Sequence, residues 1–478
     1  MESSKIFTLF DRITKIPRES GKEAQIIQYL IDFAKERNLE YKTDSAGNVV
    51  IKKPASKGME SAPAVVLQSH SDMVCEKNSG STFNFDNDPI VYTEEDGWLI
   101  AKETTLGADC GIGMAAQLAI LDSDDIEHGP VEALFTTEEE TGLTGAKSLQ
   151  PGFITGNILI NLDSEDEGEL FIGCAGGIDT TARFKYNPVK SNSQKRFRKV
   201  TIYGAAGGHS GDDIHKNRAN ANQILFRYLY HLTASAKFDI AIIDGGNKRN
   251  AIAREAYAVI ALNSGDLPFA ESLFSKLIKD VREEHIISDP ELNGTFEEHA
   301  FVESCIEDKV TDNIIKVLYG LPHGVLAMSQ DIPGLVETST NLASVKMESP
   351  GVIKVGTSQR SSLNSARYNA AGRIESLFLL AGANVTHESE YPGWKPRVDS
   401  PLLEKCRKAY SDLFGYEPVV RAIHAGLECG MFLDKFPNLD MISFGPTIRG
   451  AHAPGEKLEI ASVEKFRKLL LELLKRLK

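Results

Sequence analysis

Short apolar runs alternate with helical patterns through the first third of the chain. Three runs predict strands at Ala64–Leu67, Val131–Phe135 and Ile158–Leu162, and each is followed directly by polar residues. Between the first two strands, the stretch from Gly111 to Ser123 predicts a buried helix. Alternating strands and helices indicate an α/β layer with a largely parallel sheet, in which functional groups collect at the carboxyl ends of the strands.

The pattern changes at the polar, basic segment Tyr186–Arg198 and returns to the first style near the end of the chain. There, an apolar strand is expected at Met441–Phe444, followed by a last helix with one apolar face. We therefore expect a discontinuous α/β domain that is built from both chain ends and carries an inserted α+β domain. The predicted limits are 1–185 and 392–478 for the first domain and 186–391 for the insert.

Length and composition restrict the class of protein. A chain of 478 residues, 42% of them hydrophobic and 25% charged, suits a soluble protein of two or three domains. The formal net charge of −14 argues against nucleic acid as a partner, because phosphate binding requires a concentrated basic surface. No apolar run reaches the ~20 residues of a membrane span, and the six cysteines form no CxxC pair. We expect a cytoplasmic protein with reduced thiols and no membrane partner.

Two acidic or imidazole-bearing segments follow the first predicted strand. The sequence QSHSDMV holds His70 and Asp72, whose side chains share one face if the strand continues. They suit a metal ligand and its orienting partner, although a solvated strand end would have the same residues. The sequence TLGADCGIG places Asp109 before the predicted helix, where an aspartate is commonly an N-cap.

The second strand is followed by FTTEEETG, which places Glu138, Glu139 and Glu140 side by side. A surface charge run is the usual explanation of such a triplet. At the end of a buried parallel strand, however, the three carboxylates would repel one another, and a cation would relieve that repulsion.

Two further candidates lie beyond the third and the last strand: Asp163 in NLDSEDEGE and His452 in SFGPTIRGAHAPGE. Each alone could be an ordinary loop residue. Together with the earlier segments they supply two histidines, two aspartates and a glutamate at the strand ends of one domain. Mixed imidazole and carboxylate ligation suits Zn²⁺, with Mn²⁺ or Co²⁺ as substitutes. Five ligands, one of them able to bridge, indicate two ions.

Nine motifs in chain order resemble those of the M20 metallopeptidases, and more narrowly of the aminoacyl-histidine (Xaa-His) or cytosolic non-specific dipeptidase branch. They are SHSDMV, GADCGIG, TEEETG, NLDSED, GGHSG, GGNKRNAIAREA, QRSS, HAGLECG and RGAHAPGE. The series runs from about His70 to Glu456 and covers most of the chain. Each motif is moderately specific, and nine of them in order are highly specific.

The resemblance implies two zinc ions and a role for each of the candidate residues. His70 and Asp163 would hold one ion, Glu140 and His452 the other, and Asp109 would bridge them. Asp72 would orient the His70 imidazole. Glu138 stands where the family has an aspartate, a change that keeps the charge.

By the same resemblance, Glu139 is the general base. It would take a proton from a metal-activated water, which attacks the scissile carbonyl, and pass that proton to the leaving amine. The implied activity is zinc-dependent hydrolysis of dipeptides, with Xaa-His among the substrates.

The resemblance also assigns residues of the insert. His209 in GGHSG would stabilise the oxyanion, and the resemblance allows the partner subunit of a dimer to supply this histidine. Asn250 and Arg360 would bind the terminal carboxylate of a small peptide. The insert would then act as a lid and as the surface of a homodimer. His424 and Glu428 in HAGLECG receive no catalytic role, since a structural salt bridge explains their spacing at least as well as contact with substrate does.

Three other functions remain open at the level of the sequence. An enzyme of the same family could act on acylated amino acids or on tripeptides instead. A catalytically silent binding protein could use the same scaffold, although Glu139 argues against it because binding needs no base. A two-metal phosphoesterase shares the metal chemistry, but the chain has no Gly-rich phosphate-binding motif.

Overall fold

A computed structural model describes residues 2–349 and 351–478 and divides the chain into two compact units. Unit 1 comprises the chain up to Gly173 together with Trp394–Ala422 and Leu427–Lys478. Unit 2 comprises Cys174–Gly393 and the short segment Ile423–Gly426. The composition of the sequence changes at 186, whereas unit 2 already begins at Cys174.

The α-helices are, in chain order, α1 (Ser3–Ile13), α2 (Ala24–Glu36), α3 (Ala108–Leu121), α4 (Glu139–Gly142), α5 (Thr144–Ser148), α6 (Ala221–Thr233), α7 (Leu267–Glu284), α8 (Asp308–Gly320), α9 (Asn364–Leu380), α10 (Pro401–Phe414), α11 (Glu428–Lys435) and α12 (Ile460–Arg476). Across the described ranges, none of them is long and apolar enough to cross a lipid bilayer.

The strands are β1 (Glu40–Thr43), β2 (Val49–Lys53), β3 (Val65–His70), β4 (Tyr92–Glu95), β5 (Trp98–Ala101), β6 (Val131–Thr136), β7 (Ile158–Asn161), β8 (Glu169–Cys174), β9 (Gly176–Lys185), β10 (Val189–Lys190), β11 (Arg196–Tyr203), β12 (Phe238–Gly245), β13 (Ala256–Leu262), β14 (Asn293–Glu298), β15 (Ser304–Cys305), β16 (Gly324–Met328), β17 (Val336–Ser349), β18 (Val352–Ser361), β19 (Asn384–Tyr391), β20 (Val419–Ile423), β21 (Asp440–Ser443), β22 (Ile448–Arg449) and β23 (Lys457–Glu459).

The main sheet of unit 1 has the strand order β1-β2-β6-β3-β7-β21-β8-β20. Its four central strands, β6, β3, β7 and β21, are mutually parallel, and the outer pairs β1–β2, β2–β6 and β21–β8 are antiparallel. Every residue of β3 and β6 is buried, which fits the continuous apolar runs of the sequence. The predicted α/β class with a parallel centre is confirmed, and the carboxyl ends of four strands lie along one edge.

Helices of unit 1 pack on this sheet through the faces that their sequences predict. Helix α3 is buried almost throughout and contacts α1, β3 and β6, so it needs no polar side. Helix α12 has the amphipathic pattern instead and buries the stripe of Val463, Phe466, Leu470 and Leu473. A small sheet of order β22-β23-β5-β4 lies beside the loop that carries His452.

Unit 2 contains a nine-stranded antiparallel sheet of order β14-β11-β13-β12-β17-β18-β9-β19, with β16 on β17. Helices α6, α7, α8 and α9 contribute to one large core with the sheet, which includes the fully buried Phe226, Tyr228 and Phe378. A smaller cluster around Phe197 and Val259 includes side chains that point the other way from β11 and β13. Mixed helices and antiparallel strands give this unit the α+β character that the sequence predicts.

Candidate metal centre

The predicted metal ligands of unit 1 lie at or just beyond the carboxyl edge of its parallel strands. His70 ends β3, Asp163 follows β7 by two residues, and Glu140 lies in the short helix α4 after β6. The other two are Asp109, the second residue of α3, and His452, in the loop between β22 and β23. The parallel sheet therefore gathers side chains that are up to 382 positions apart in the sequence (His70 to His452).

Asp109 lies between the two histidines. Its Oδ1 is 3.0 Å from Nε2 of His70, and its Oδ2 is 3.2 Å from Nε2 of His452. The same His70 nitrogen is 3.2 Å from Oδ1 of Asp163, and the same His452 nitrogen is 3.0 Å from Oε1 of Glu140. The five side chains thus form two groups of three that share Asp109, the grouping expected from the sequence.

This donor set fits two cations better than it fits internal hydrogen bonds. Each histidine nitrogen faces two carboxylate oxygens, but a ring nitrogen carries at most one hydrogen. Accordingly, Oε1 of Glu140 and Oδ1 of Asp163 are buried and accept no hydrogen bond from any described residue. A cation placed among the three donors of each group would satisfy every one of these atoms, and imidazole with carboxylate is a donor set that zinc accepts.

Asp72 is fully buried behind His70 and the α4 segment. Its Oδ1 lies 3.3 Å from Nδ1 of His70 and accepts the backbone N–H of Glu139 at 3.1 Å. Its Oδ2 accepts the N–H of Glu140 at 3.2 Å and the hydroxyl of Ser20 at 2.7 Å. One carboxylate therefore orients the imidazole and also anchors the first turn of the helix that carries Glu139 and Glu140.

Burial and neighbouring charge perturb the carboxylates of this centre. Burial raises the pKa of Glu139 well above its ordinary value; His70 opposes that shift, whereas Asp163, Glu428 and Glu140 add to it. Burial likewise raises the pKa of Glu165 to about 8, with Asp109 and Asp163 as further causes. Perturbed carboxylates of this kind are common at catalytic centres, and Glu139 is the one to which the family resemblance assigns proton transfer.

The three residues predicted from the insert lie in unit 2, and backbone contacts connect the segments of two of them. The N–H of Ser210 donates to the carbonyl of Asn250 at 2.8 Å, which ties the His209 turn to the Asn250 loop. Nδ1 of His209 is 3.2 Å from Oδ2 of Asp212, and the Asn250 side chain is exposed. Arg360 pairs in register with Ser339, whose hydroxyl contacts the His424 ring at 2.7 Å.

Arg360 is a buried cation with few partners. It is 7% exposed, and its Nη1 donates to the hydroxyl of Tyr391 at 3.1 Å. Among the described residues, its Nε has no hydrogen-bond partner. A buried guanidinium with an unsatisfied donor is costly unless a ligand completes it, so Arg360 is suited to receive an anion.

Comparison with known proteins identifies the family of this chain. Residues 66–476 match the model of peptidase family M20/M25/M40. The chain belongs to this family. The matched range includes every one of the candidate ligands, from His70 to His452.

Two relatives resemble this M20 chain over almost its whole length. It is 39% identical to the cytosol non-specific dipeptidase of Escherichia coli K12 over 472 residues, which are 98% of this chain and 97% of the relative. The crystal structure of an aminoacylhistidine dipeptidase from Vibrio alginolyticus superposes with a TM-score of 0.93 and 39% identity, covering 99% and 98% of the two chains. An aminopeptidase of Bacillus cereus shares the fold at a TM-score of 0.60 and 15% identity.

Several polar residues around the centre of this M20 chain were missed or left without a role by the sequence analysis. Glu428 is fully buried, and its Oε2 accepts hydrogen bonds from Gln68 at 2.6 Å and Thr136 at 2.9 Å. It therefore supports β3 and β6 within unit 1, whereas the His424 ring contacts Ser339 within unit 2. The motif HAGLECG contains both residues, but α11 begins only at Glu428, so the two residues do not share a helix face.

The thiol of Cys110 also lies at the centre. Its Sγ, with one ligand atom from His70 and one from Asp163, forms a group whose atoms are all within 4.8 Å of one another. The Cys110 thiol donates to the carbonyl of Leu162 at 3.3 Å. The sequence predicts only that the six cysteines are reduced thiols, and the fold reveals that this one borders the ligands.

Proposed function

We propose that this M20 peptidase is a zinc-dependent dipeptidase with Glu139 as its general base. The observation that carries the proposal is the pair of histidine nitrogens that each face two carboxylate oxygens, with Asp109 shared between them. The two relatives that align over nearly the whole chain, at 39% identity each, are both named dipeptidases. We transfer that activity to this chain as a hypothesis.

The residues that would hold the metal are those of the two groups. His70 and Asp163 would bind one zinc ion, Glu140 and His452 would bind the other, and Asp109 would bind both. Zinc supplies Lewis acidity, which polarises a carbonyl and brings the pKa of a coordinated water towards neutrality. Mn²⁺ or Co²⁺ would be accepted by the same donors.

Glu139 performs the proton transfers in this proposal. Its carboxylate takes a proton from the attacking water and later gives that proton to the leaving amine, so one residue acts first as base and then as acid. Its place directly before Glu140, on the turn that Asp72 anchors, supports this role. Asp72 keeps the Glu139 backbone and the His70 ring in place through its two oxygens.

Unit 2 supplies substrate recognition in this proposal. Arg360 binds the terminal carboxylate of the peptide with its unsatisfied donors, Asn250 assists it, and His209 stabilises the developing oxyanion. Recognition of a terminal carboxylate limits the length of peptide that fits, which favours dipeptides. We also propose that unit 2 acts as a lid and forms a homodimer interface, and that the protein is cytoplasmic like its Escherichia coli relative.

The experiment that tests this function measures amino-acid release by the zinc-loaded protein from a small panel. The panel contains free dipeptides including Xaa-His, their N-acetylated forms, and a tripeptide. We expect rapid release from free dipeptides only. In Glu139→Gln we expect kcat to fall by a factor of about 10²–10⁴, the usual contribution of a general base, while zinc content measured by mass spectrometry stays at the wild-type level.

The neighbouring carboxylate supplies a matched control. Glu138→Gln removes a charge one position earlier on the same turn and should leave kcat within a few-fold of wild type. Release from the acetylated forms would reassign the enzyme to acylated amino acids. Zinc bound at the predicted stoichiometry without release from any substrate would contradict the dipeptidase proposal.

A further inference from the structure

Glu456 places a buried carboxylate under the backbone that carries Asp109. It is 2% exposed, and its two oxygens accept hydrogen bonds from four consecutive backbone N–H groups. Oε2 accepts from Leu106 at 2.8 Å and from Gly107 at 2.9 Å. Oε1 accepts from Ala108 at 2.8 Å and from Asp109 at 3.3 Å. These are charge-assisted bonds at the start of α3, where backbone N–H groups have no partner within the helix.

Arg18 contacts the same backbone segment. It is 1% exposed, and its Nη1 donates to the carbonyl of Asp72 at 2.6 Å and to that of Ser71 at 3.3 Å. Its Nη2 donates to the carbonyl of Gly107. Gly107 is thus bound through its carbonyl by Arg18 and through its N–H by Glu456. The guanidinium also connects the segment of Asp109 to the segment of Asp72.

The local backbone has little room to adjust. Gly107 has φ +68°, in the left-handed region that favours glycine, and a Cβ built on it would lie 2.5 Å from Nη2 of Arg18. A Cβ at Gly111 would lie 2.7 Å from the same atom. The two glycines of the GADCGIG segment that flank Asp109 therefore leave room for the close approach of the Arg18 guanidinium.

Glu456 also belongs to the loop of another ligand. It lies four positions after His452, and the N–H of Gly455 donates to the carbonyl of Thr104 at 3.0 Å. The position of His452 is coupled in this way to the position of the segment 104–109. Since His452 and Asp109 share one of the two groups of ligands, a contact that joins their loops bears directly on the geometry of that group.

We propose that Glu456 and Arg18 are positioning residues of the metal centre, which hold residues 106–109 so that the two oxygens of Asp109 face His70 and His452. This inference rests on the proposed function, because it concerns the ligand that would bridge the two zinc ions. A bridging carboxylate must aim both oxygens at once, so a tilt of its backbone weakens both sites. Residues that orient metal ligands commonly contribute 10–100-fold to affinity.

The test measures zinc binding rather than activity. Apo-proteins are titrated with zinc against a chromophoric chelator, which reports stoichiometry and affinity. We expect Glu456→Gln to bind at least one of the two ions about 10–100-fold more weakly than wild type, because a side-chain NH₂ replaces one of the accepting oxygens. Arg18→Lys, which keeps the charge but not the fork of donors, should give a smaller loss in the same direction.

Glu132 provides the matched control in unit 1. It is also a buried carboxylate that accepts backbone N–H groups, from Thr155 at 2.7 Å and Gly156 at 3.0 Å, but it lies near the start of β6, away from the ligands. Glu132→Gln should lower the melting temperature and leave zinc affinity unchanged. Wild-type affinity in both Glu456→Gln and Arg18→Lys would overturn the inference. Wild-type protein that binds no zinc would overturn the proposed function and the inference with it.

Discussion

His424 should make the stability of unit 2 sensitive to mild acid. Its ring is 6% exposed, and Nε2 lies 2.7 Å from the Ser339 hydroxyl. Burial, together with the charges of Arg360 and His215, lowers its pKa from an ordinary 6.5 to about 3, against the opposing effects of a backbone hydrogen bond at Val336 and the charge of Asp212. The folded state therefore contains neutral His424, whereas the unfolded chain takes up a proton as the pH falls below 6.5.

The size of the effect follows from these pKa values. At pH 7.5 both states are neutral at this position, and the contribution to stability is close to zero. At pH 5 the unfolded imidazole is protonated, and the 1.5 pH units below 6.5 correspond to a loss of about 2 kcal/mol at ~1.4 kcal/mol per unit. The loss continues until the pH reaches the folded pKa of about 3.

The assay compares urea unfolding of apo-protein at pH 7.5 and pH 5, with chelator present so that metal binding does not contribute. Hydrogen exchange of peptides from α6 and β18 reports unit 2 itself. His424→Gln keeps an oxygen that can accept the Ser339 hydroxyl but does not titrate. Between pH 7.5 and pH 5, its free energy of unfolding should therefore fall by about 2 kcal/mol less than that of wild type. His231→Gln removes an exposed imidazole from the same unit as the control. Equal losses in wild type and His424→Gln would refute the reasoning.

Three further predictions concern packing, capping and metal. Phe226→Ala should destabilise the protein by about 3–5 kcal/mol in urea unfolding, because the ring is fully buried in the core of unit 2. Asn220→Ala should cost about 1–2 kcal/mol in the same measurement, since its side chain caps α6 and also donates to the carbonyl of Leu342 at 2.9 Å. Removing zinc with a chelator should lower the melting temperature of wild type in scanning fluorimetry. The lost free energy of unfolding is about 4 kcal/mol if free zinc had been 1,000-fold above its Kd. The melting temperature of Asp109→Ala should hardly change.

The positions of the ligands could be predicted because strand ends are visible in a sequence. The apolar runs of β3, β6 and β7 end where polar residues begin, and parallel strands bring such ends to one edge of a sheet. His70, Asp163 and the Glu138–Glu140 run are therefore linked to that edge by pattern alone. Their roles as ligands still rest on the family resemblance and on the geometry.

Contacts between a side chain and a distant backbone leave no such pattern. Glu456 binds N–H groups up to 350 positions earlier, and Arg18 binds carbonyls up to 89 positions later. Every residue except proline offers the same backbone groups, so the partner's sequence carries no sign of the bond. The start of unit 2 has no signal in the sequence for a related reason: the residues of β9 do not indicate which sheet the strand joins, and only its pairing with β18 and β19 places it in the second sheet.

Buried polar residues near the carboxyl ends of the parallel strands hold these strands at a fixed spacing beside the ligands. Gln68 lies two residues before the end of β3, and the last residues of β6, β7 and β21 are Thr136, Asn161 and Ser443. Their side chains form one hydrogen-bonded row that follows the order of the four strands. Buried polar groups are costly unless every member finds a partner, so a lateral slip of any one strand would break several bonds at once. These hydrogen bonds thus fix the spacing of the strand ends that carry His70 and precede Glu140 and Asp163. If this edge binds the two proposed ions through Asp109, the spacing of the strand ends can vary little, which gives a physical reason for polar residues at these four positions.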